Sequence, residues 1–186
     1  FKVIIPMLKF LGLLLIGDAI QFCIFMPLTA ALTKTNLAKM PKKFAKMSMM
    51  AVTTTSGAIC LPTKMEDEVT KFGVSRKVAD FTGPITMSMN STGAAQCYVA
   101  AIFFMAQATG VELSAYQMGM AILLSCLMCM GTISVPGGST VVYTFLASSL
   151  GLPLESIAVL IGVDWFAGMF RTLMNVDVDV LIGLLV

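Results

Sequence analysis

Gly162-Val-Asp-Trp-Phe-Ala-Gly-Met-Phe-Arg-Thr-Leu-Met-Asn-Val-Asp-Val-Asp179 lies within an apolar segment that runs from Ile157 to Val186. Apolar residues alone would make an ordinary membrane helix of it. Arg171 stands near its middle, with Asp164 seven residues before and Asp179 eight after. Wound as a helix, Asp164, Gly168, Arg171, Asn175 and Asp179 follow steps of four, three, four and four, which places all five on one face. Asp177 falls off that face. A charge near the bilayer centre costs at least about 3 kcal/mol, so such residues face a protein interior or a wet cavity. Two readings of the face follow. In one, Asp164, Arg171 and Asp179 form a structural charge network. In the other, Arg171 holds an anionic ligand and the lower part of the face holds a cation.

Composition agrees with a membrane setting. Of 186 residues, 58% are hydrophobic and 12% charged, and the mean hydropathy is +0.91. Soluble domains carry roughly 25% charged residues. A net charge of +2, with no basic cluster interleaved with aromatics, gives no footprint for nucleic acid. The chain has no His, which removes the commonest metal ligand and general base. Without G-x-S-x-G or a paired acid and base, an enzyme is not expected. Cys23, Cys60, Cys97, Cys126 and Cys129 lie in apolar segments and read as small buried hydrophobes. The chain starts at Phe1 with neither an initiator Met nor a signal peptide, and reads as part of a longer protein.

Taken in order, residues 3–33 form a first membrane helix, with Pro27 kinking its last turns. A basic loop over 34–46 follows. The apolar stretch 47–63 is too short to cross and carries the hydroxyl run Thr53-Thr-Thr-Ser-Gly57, which suggests a re-entrant hairpin with an unwound tip. A charged segment, 64–77, leads into 78–108, interrupted by Ser88-Met-Asn-Ser-Thr-Gly93. That sextet is either a helix–helix contact of small residues or an unwound break whose carbonyls bind an ion. Residues 118–150 are interrupted at Gly131-Thr-Ile-Ser-Val-Pro-Gly-Gly-Ser139, giving two half-spans or a second re-entrant hairpin. The polar-faced helix occupies 157–186.

Nine of the twelve Lys and Arg lie in 34–46 and 64–77, whereas the loops at 107–117 and 149–157 have none. The positive-inside rule puts the first two loops in the cytoplasm, so the two hairpins enter from opposite sides. Paired interrupted segments of opposite orientation point to the midplane site of a secondary transporter. The expected fold is an all-α membrane protein, with transmembrane helices and two re-entrant hairpins in an inverted repeat.

At these motifs the chain resembles the dicarboxylate/amino acid:cation symporter family, the glutamate-transporter fold. The resemblance rests on Thr54-Thr-Ser-Gly with Leu61-Pro62, Ser88-Met-Asn-Ser-Thr92, Gly131-Thr-x-x-Val-Pro-Gly137, and Asp164-x6-Arg171-Thr-x-x-Asn175-x3-Asp179. It covers nearly the whole chain and matches the family's later half, the core of its mobile transport domain. It implies that Arg171 pairs with a substrate carboxylate, with Asn175, Thr172 and Thr92 adding polar contacts. Backbone around Ser56, Gly57, Val135 and Gly137 would close over the substrate. Asp179 and carbonyls near Asn175 would hold one transported sodium. Thr86, Thr132 and Met89 would hold another, in the region of Ser88 and Asn90. The resemblance also implies a homotrimer built through parts outside this chain, a bacterial inner-membrane location, and no tightly bound cofactor.

Three departures from the family pattern matter. Gly168 replaces the carboxylate that amino-acid carriers offer the substrate's amine, Asn90 replaces an Asp, and Ser88 replaces an Asn. The reading that follows is sodium- or proton-coupled symport of a small dicarboxylate such as succinate, fumarate or malate. The alternatives are an acidic amino-acid:cation symporter and, further off, an ion channel.

Overall fold

The computed structural model describes residues 4–130 and 138–186. Every regular element among them is helical: α1 (Ile4–Thr33), a 3-10 turn at Leu37–Lys39, α2 (Met40–Thr54), α3 (Gly57–Thr70), α4 (Arg76–Met89), α5 (Thr92–Thr109), α6 (Ala115–Met130), α7 (Ser139–Leu150) and α8 (Ser156–Leu185). α1 and α8 are long and apolar enough to cross a membrane. At 1.5 Å per residue, α2 and α3, with 15 and 14 residues, each reach only about 22 Å, short of the roughly 30 Å hydrocarbon core.

The turn between α2 and α3 has a local cause. Thr55 ends α2 in the left-handed region, at φ 49, a conformation that crowds a β-branched side chain and costs of order 1–3 kcal/mol. Ser56 then starts α3, its hydroxyl accepting from the Ile59 amide at 3.5 Å. The apolar stretch placed at 47–63 is therefore the middle of a longer pair of helices. The basic loop turns helical at its C-terminal end, and α3 continues through much of the charged segment 64–77. Its polar residues Lys64, Asp67 and Glu68 recur on the Cys60 face and are buried with it.

The polar sextet is a break between two helices. α4 ends at Met89, Asn90 is extended, and α5 begins at Thr92. The N-terminus of α5 then packs directly on α8. A Cβ at Gly93 would stand 2.5 Å from the Arg171 carbonyl oxygen, so this crossing requires glycine. The tip between α6 and α7, including Thr132, Val135 and Gly137, lies outside the described residues.

Two apolar clusters flank the centre of α8. One gathers Phe10 and Leu14 of α1, Tyr98, Ile102 and Met105 of α5, Tyr143 and Leu146 of α7, and Leu160, Val163 and Ala167 of α8. The other gathers Met40, Phe44 and Met47 of α2, Cys60 of α3, and Val176, Val180 and Leu181 of α8. Arg171 and Asn175 of α8 lie between them, with Asp164 beside the first cluster and Asp179 beside the second. From Val176 through Leu181, α8 is buried on every side, so Asp177, off the polar face, is also inside protein. It accepts a hydrogen bond from Ser48 at 2.7 Å. Cys60, Cys97 and Cys129 are buried as expected; Cys23 and Cys126 are exposed.

Candidate functional site

A cavity opens between the α2–α3 turn, the α4–α5 break, the start of α7 and the polar face of α8. Thr55, Gly57, Ser91, Ser139, Arg171, Thr172, Asn175 and Asp179 are among its lining residues. The α2–α3 turn, the α4–α5 break and the start of α7 contribute where regular hydrogen bonding stops, and α8 contributes side chains from the middle of an unbroken helix.

Arg171 stands at the upper end. Its side chain is 12% exposed, and the nearest carboxylate, that of Asp164, lies 3.8 Å from Nη1. That distance is beyond a hydrogen bond. Nη1 is buried and has no hydrogen-bond partner among the described residues. The guanidinium also stands 5.9 Å from the Tyr98 ring centroid, close enough for a cation–π attraction. Asp164 is held independently, accepting from the Ser139 hydroxyl at 2.6 Å and the Tyr143 hydroxyl at 3.1 Å, both on α7. The two charges are neighbours, each fixed by different groups. Gly168 lies one turn before Arg171, and a Cβ there would meet Thr55 at 3.6 Å and Arg171 Nη2 at 3.7 Å, ordinary contacts. The site has room for a side chain at that position and the sequence supplies none.

The lower end is occupied differently. The Asn175 side-chain oxygen accepts from the backbone amides of Gly93 at 2.8 Å and Ala94 at 3.3 Å, satisfying the open end of α5. The Asn90 amide donates to the Asn175 carbonyl at 3.0 Å and to Asp179 Oδ1 at 2.8 Å. The Thr92 hydroxyl donates to Asn90 Oδ1. Asp179 Oδ2 accepts from Lys64 Nζ at 2.7 Å. The same ammonium reaches the Gly83 carbonyl at 2.9 Å and the Thr86 hydroxyl at 3.2 Å. Glu68 follows one turn later on α3, packed against Gly183 of α8. Its carboxylate oxygens have no hydrogen-bond partner among the described residues.

The structure thus places Arg171, Thr172, Asn175 and Asp179 on the cavity wall, with Gly57 at the turn and Ser56 buried beside it, and ties Asn90, Thr92 and Thr86 to that wall through hydrogen bonds. It does not bring Ser88 or Met89 to the same place. Ser88 is exposed and bonds back to the Pro84 carbonyl at 3.1 Å, and Met89 is 61% exposed. The reason is helical register: α4 stays regular through Met89, so Thr86 and Met87 face the site and the next two side chains rotate away. Sequence reasoning missed Thr55, Tyr98, Ser139, Tyr143 and above all Lys64. The signal for Lys64 was present, since Cys60, Lys64, Asp67 and Glu68 share a helical face.

The sequence pattern of the sodium:dicarboxylate symporter family matches residues 1–186. The chain belongs to the sodium:dicarboxylate symporter family. It is 30% identical to the proton/glutamate-aspartate symporter of Bacillus subtilis over 94% of this chain and 42% of that protein. It is 30% identical to an excitatory amino acid transporter of Caenorhabditis elegans over 86% of this chain and 32% of that protein. The same identity holds to human excitatory amino acid transporter 2, over 89% of this chain and 29% of that protein. The chain spans well under half the length of these relatives. As a member of this symporter family it is membrane-embedded, and the exposed Ile4, Leu8, Leu15, Ile16, Leu28 and Leu32 of α1 suit an apolar surround.

Proposed function

We propose that this chain forms the solute-binding part of a secondary carrier that moves a small acidic solute across the plasma membrane, with a carboxylate of the solute held by Arg171. The observation that carries this is the buried guanidinium at the wall of a polar cavity, its Nη1 without a hydrogen-bond partner among the described residues. A planar fork of N–H donors suits bidentate capture of a carboxylate. Thr172 and Asn175 of the same helix face add polar contacts, and the turn at Thr55–Gly57 bounds one side of the site.

The glutamate-aspartate symporter of Bacillus subtilis and the excitatory amino acid transporters among the relatives favour an acidic amino acid, glutamate or aspartate, over the dicarboxylates without an amine that the sequence suggested. We take the acidic amino acid as the leading solute. Asp164, beside Arg171, then receives the ammonium. Gly168 supports the second reading: with no side chain one turn before Arg171, an ammonium has one fewer acidic partner, and a buried unpaired charge is strongly penalised. α2–α3 and α6–α7 act as two re-entrant hairpins, and the unit they cap moves across the membrane with its solute. A sodium ion or proton gradient drives that movement, within a homotrimer assembled through segments outside this chain. The carrier reading separates from a channel or an enzyme by counterflow. Full chain in proteoliposomes loaded with unlabelled aspartate takes up labelled aspartate without chemical change, succinate competes more weakly, and the neutral diamide of succinate does not compete. Succinate outcompeting aspartate selects the second reading, and competition by the diamide overturns the role of Arg171.

A further inference from the structure

Lys64 does not line the solute cavity, yet it is 1% exposed and reaches the functional face of α8. We propose that its ammonium is a built-in cation, occupying the Asp179 carboxylate in place of a bound metal ion, so that sodium does not bind at this carboxylate. An ammonium has three N–H donors and no acceptor. Lys64 Nζ meets three oxygens of three kinds: the Asp179 carboxylate at 2.7 Å, the Gly83 carbonyl at 2.9 Å and the Thr86 hydroxyl at 3.2 Å. Carboxylate, carbonyl and hydroxyl oxygens are the donor set that a hard cation selects. Here a side chain of the same protein fills it.

The remaining oxygen of Asp179 accepts from Asn90, so both carboxylate oxygens are engaged. A sodium ion arriving at Asp179 would meet a positive charge already in contact with it, in a region screened from water where like charges repel strongly. The tether also matters. The ammonium hangs from α3, the arm that follows the Thr55–Ser56 turn, and its occupancy does not depend on ion concentration on either side of the membrane. One carboxylate that would otherwise respond to a sodium gradient is thereby removed from it. That consequence for coupling rests on the carrier reading; the ion count at Asp179 does not.

The test counts sodium. Full chain purified in detergent is titrated with radioactive sodium, and bound ions per chain are compared for the wild type, Lys64→Met, Lys64→Arg and the Lys64→Met/Asp179→Leu double variant. Lys64→Met is expected to take up one sodium more than the wild type, Lys64→Arg none more, and the double variant the same number as the wild type. A folded Lys64→Met with no added sodium makes the pair merely structural and overturns the proposal. So does a double variant that binds fewer ions than the wild type, because sodium then sits on Asp179 in the unaltered protein. Should Lys64→Met not fold, the double variant decides alone, since it removes both buried charges together. A wild type that binds no acidic solute, with these counts as expected, would overturn the carrier reading and leave this one standing.

Discussion

Arg171→Ala separates a ligand-binding guanidinium from a structural one. At 3.8 Å from Asp164, and with an effective dielectric of 20, the gross attraction between the two charges is about 4 kcal/mol. Desolvating the guanidinium costs several kcal/mol, which offsets most of that. Removing one partner of a buried pair ordinarily costs about 3–5 kcal/mol because the other charge is left uncompensated. Asp164 is not left so, because Ser139 and Tyr143 still donate to it at 2.6 and 3.1 Å. The stability loss is therefore expected below that range, about 1–2 kcal/mol. The loss in solute binding is larger. Truncating one side of a desolvated charge pair at a binding site costs about 2–5 kcal/mol, or roughly 30-fold to several thousand-fold in affinity. Binding of labelled aspartate and succinate to the full chain, alongside thermal unfolding in the same detergent, reads both quantities. Affinity within a few-fold of the wild type, or a variant that unfolds before it loses affinity, would refute the reasoning and make Arg171 part of the scaffold.

Gly168→Asp is expected to fold, since its Cβ meets neighbours only at 3.6 Å or beyond. Its carboxylate would stand beside Arg171, weaken succinate about tenfold or more and shift preference towards aspartate, as read by competition for uptake. Gly93→Ala is expected to destabilise the fold by about 1–3 kcal/mol, because its Cβ would lie 2.5 Å from the Arg171 carbonyl oxygen; an unchanged unfolding temperature would show that α5 can move off α8 freely.

The sequence by itself determined much of the frame. The spacing of Asp164, Gly168, Arg171, Asn175 and Asp179 settled that these residues share a helix face, because periodicity is a property of the local backbone alone. The hydroxyl-rich stretch that ends in glycine suggested one place where a helix stops, and the polar sextet left a helix contact and a break both open. Both breaks appear, at Thr55–Ser56 and at Asn90–Ser91. Motif order was enough to identify the family, whose pattern runs over the whole chain. What lies across from a face is a different kind of information. Lys64 looked like one more charge in a solvated loop, and its partner Asp179 is 115 residues away. Its spacing with Cys60, Asp67 and Glu68 marks a shared helical face, but spacing does not say whether that face meets water or packs onto a carboxylate. The same holds for Asp177, off the polar face of α8 yet buried because α2 covers that side. Ser88 and Met89 turn away because regular winding continues to the end of α4, a boundary that composition does not mark. Shared faces are written in the spacing of residues; the partners opposite them exist only once distant helices pack.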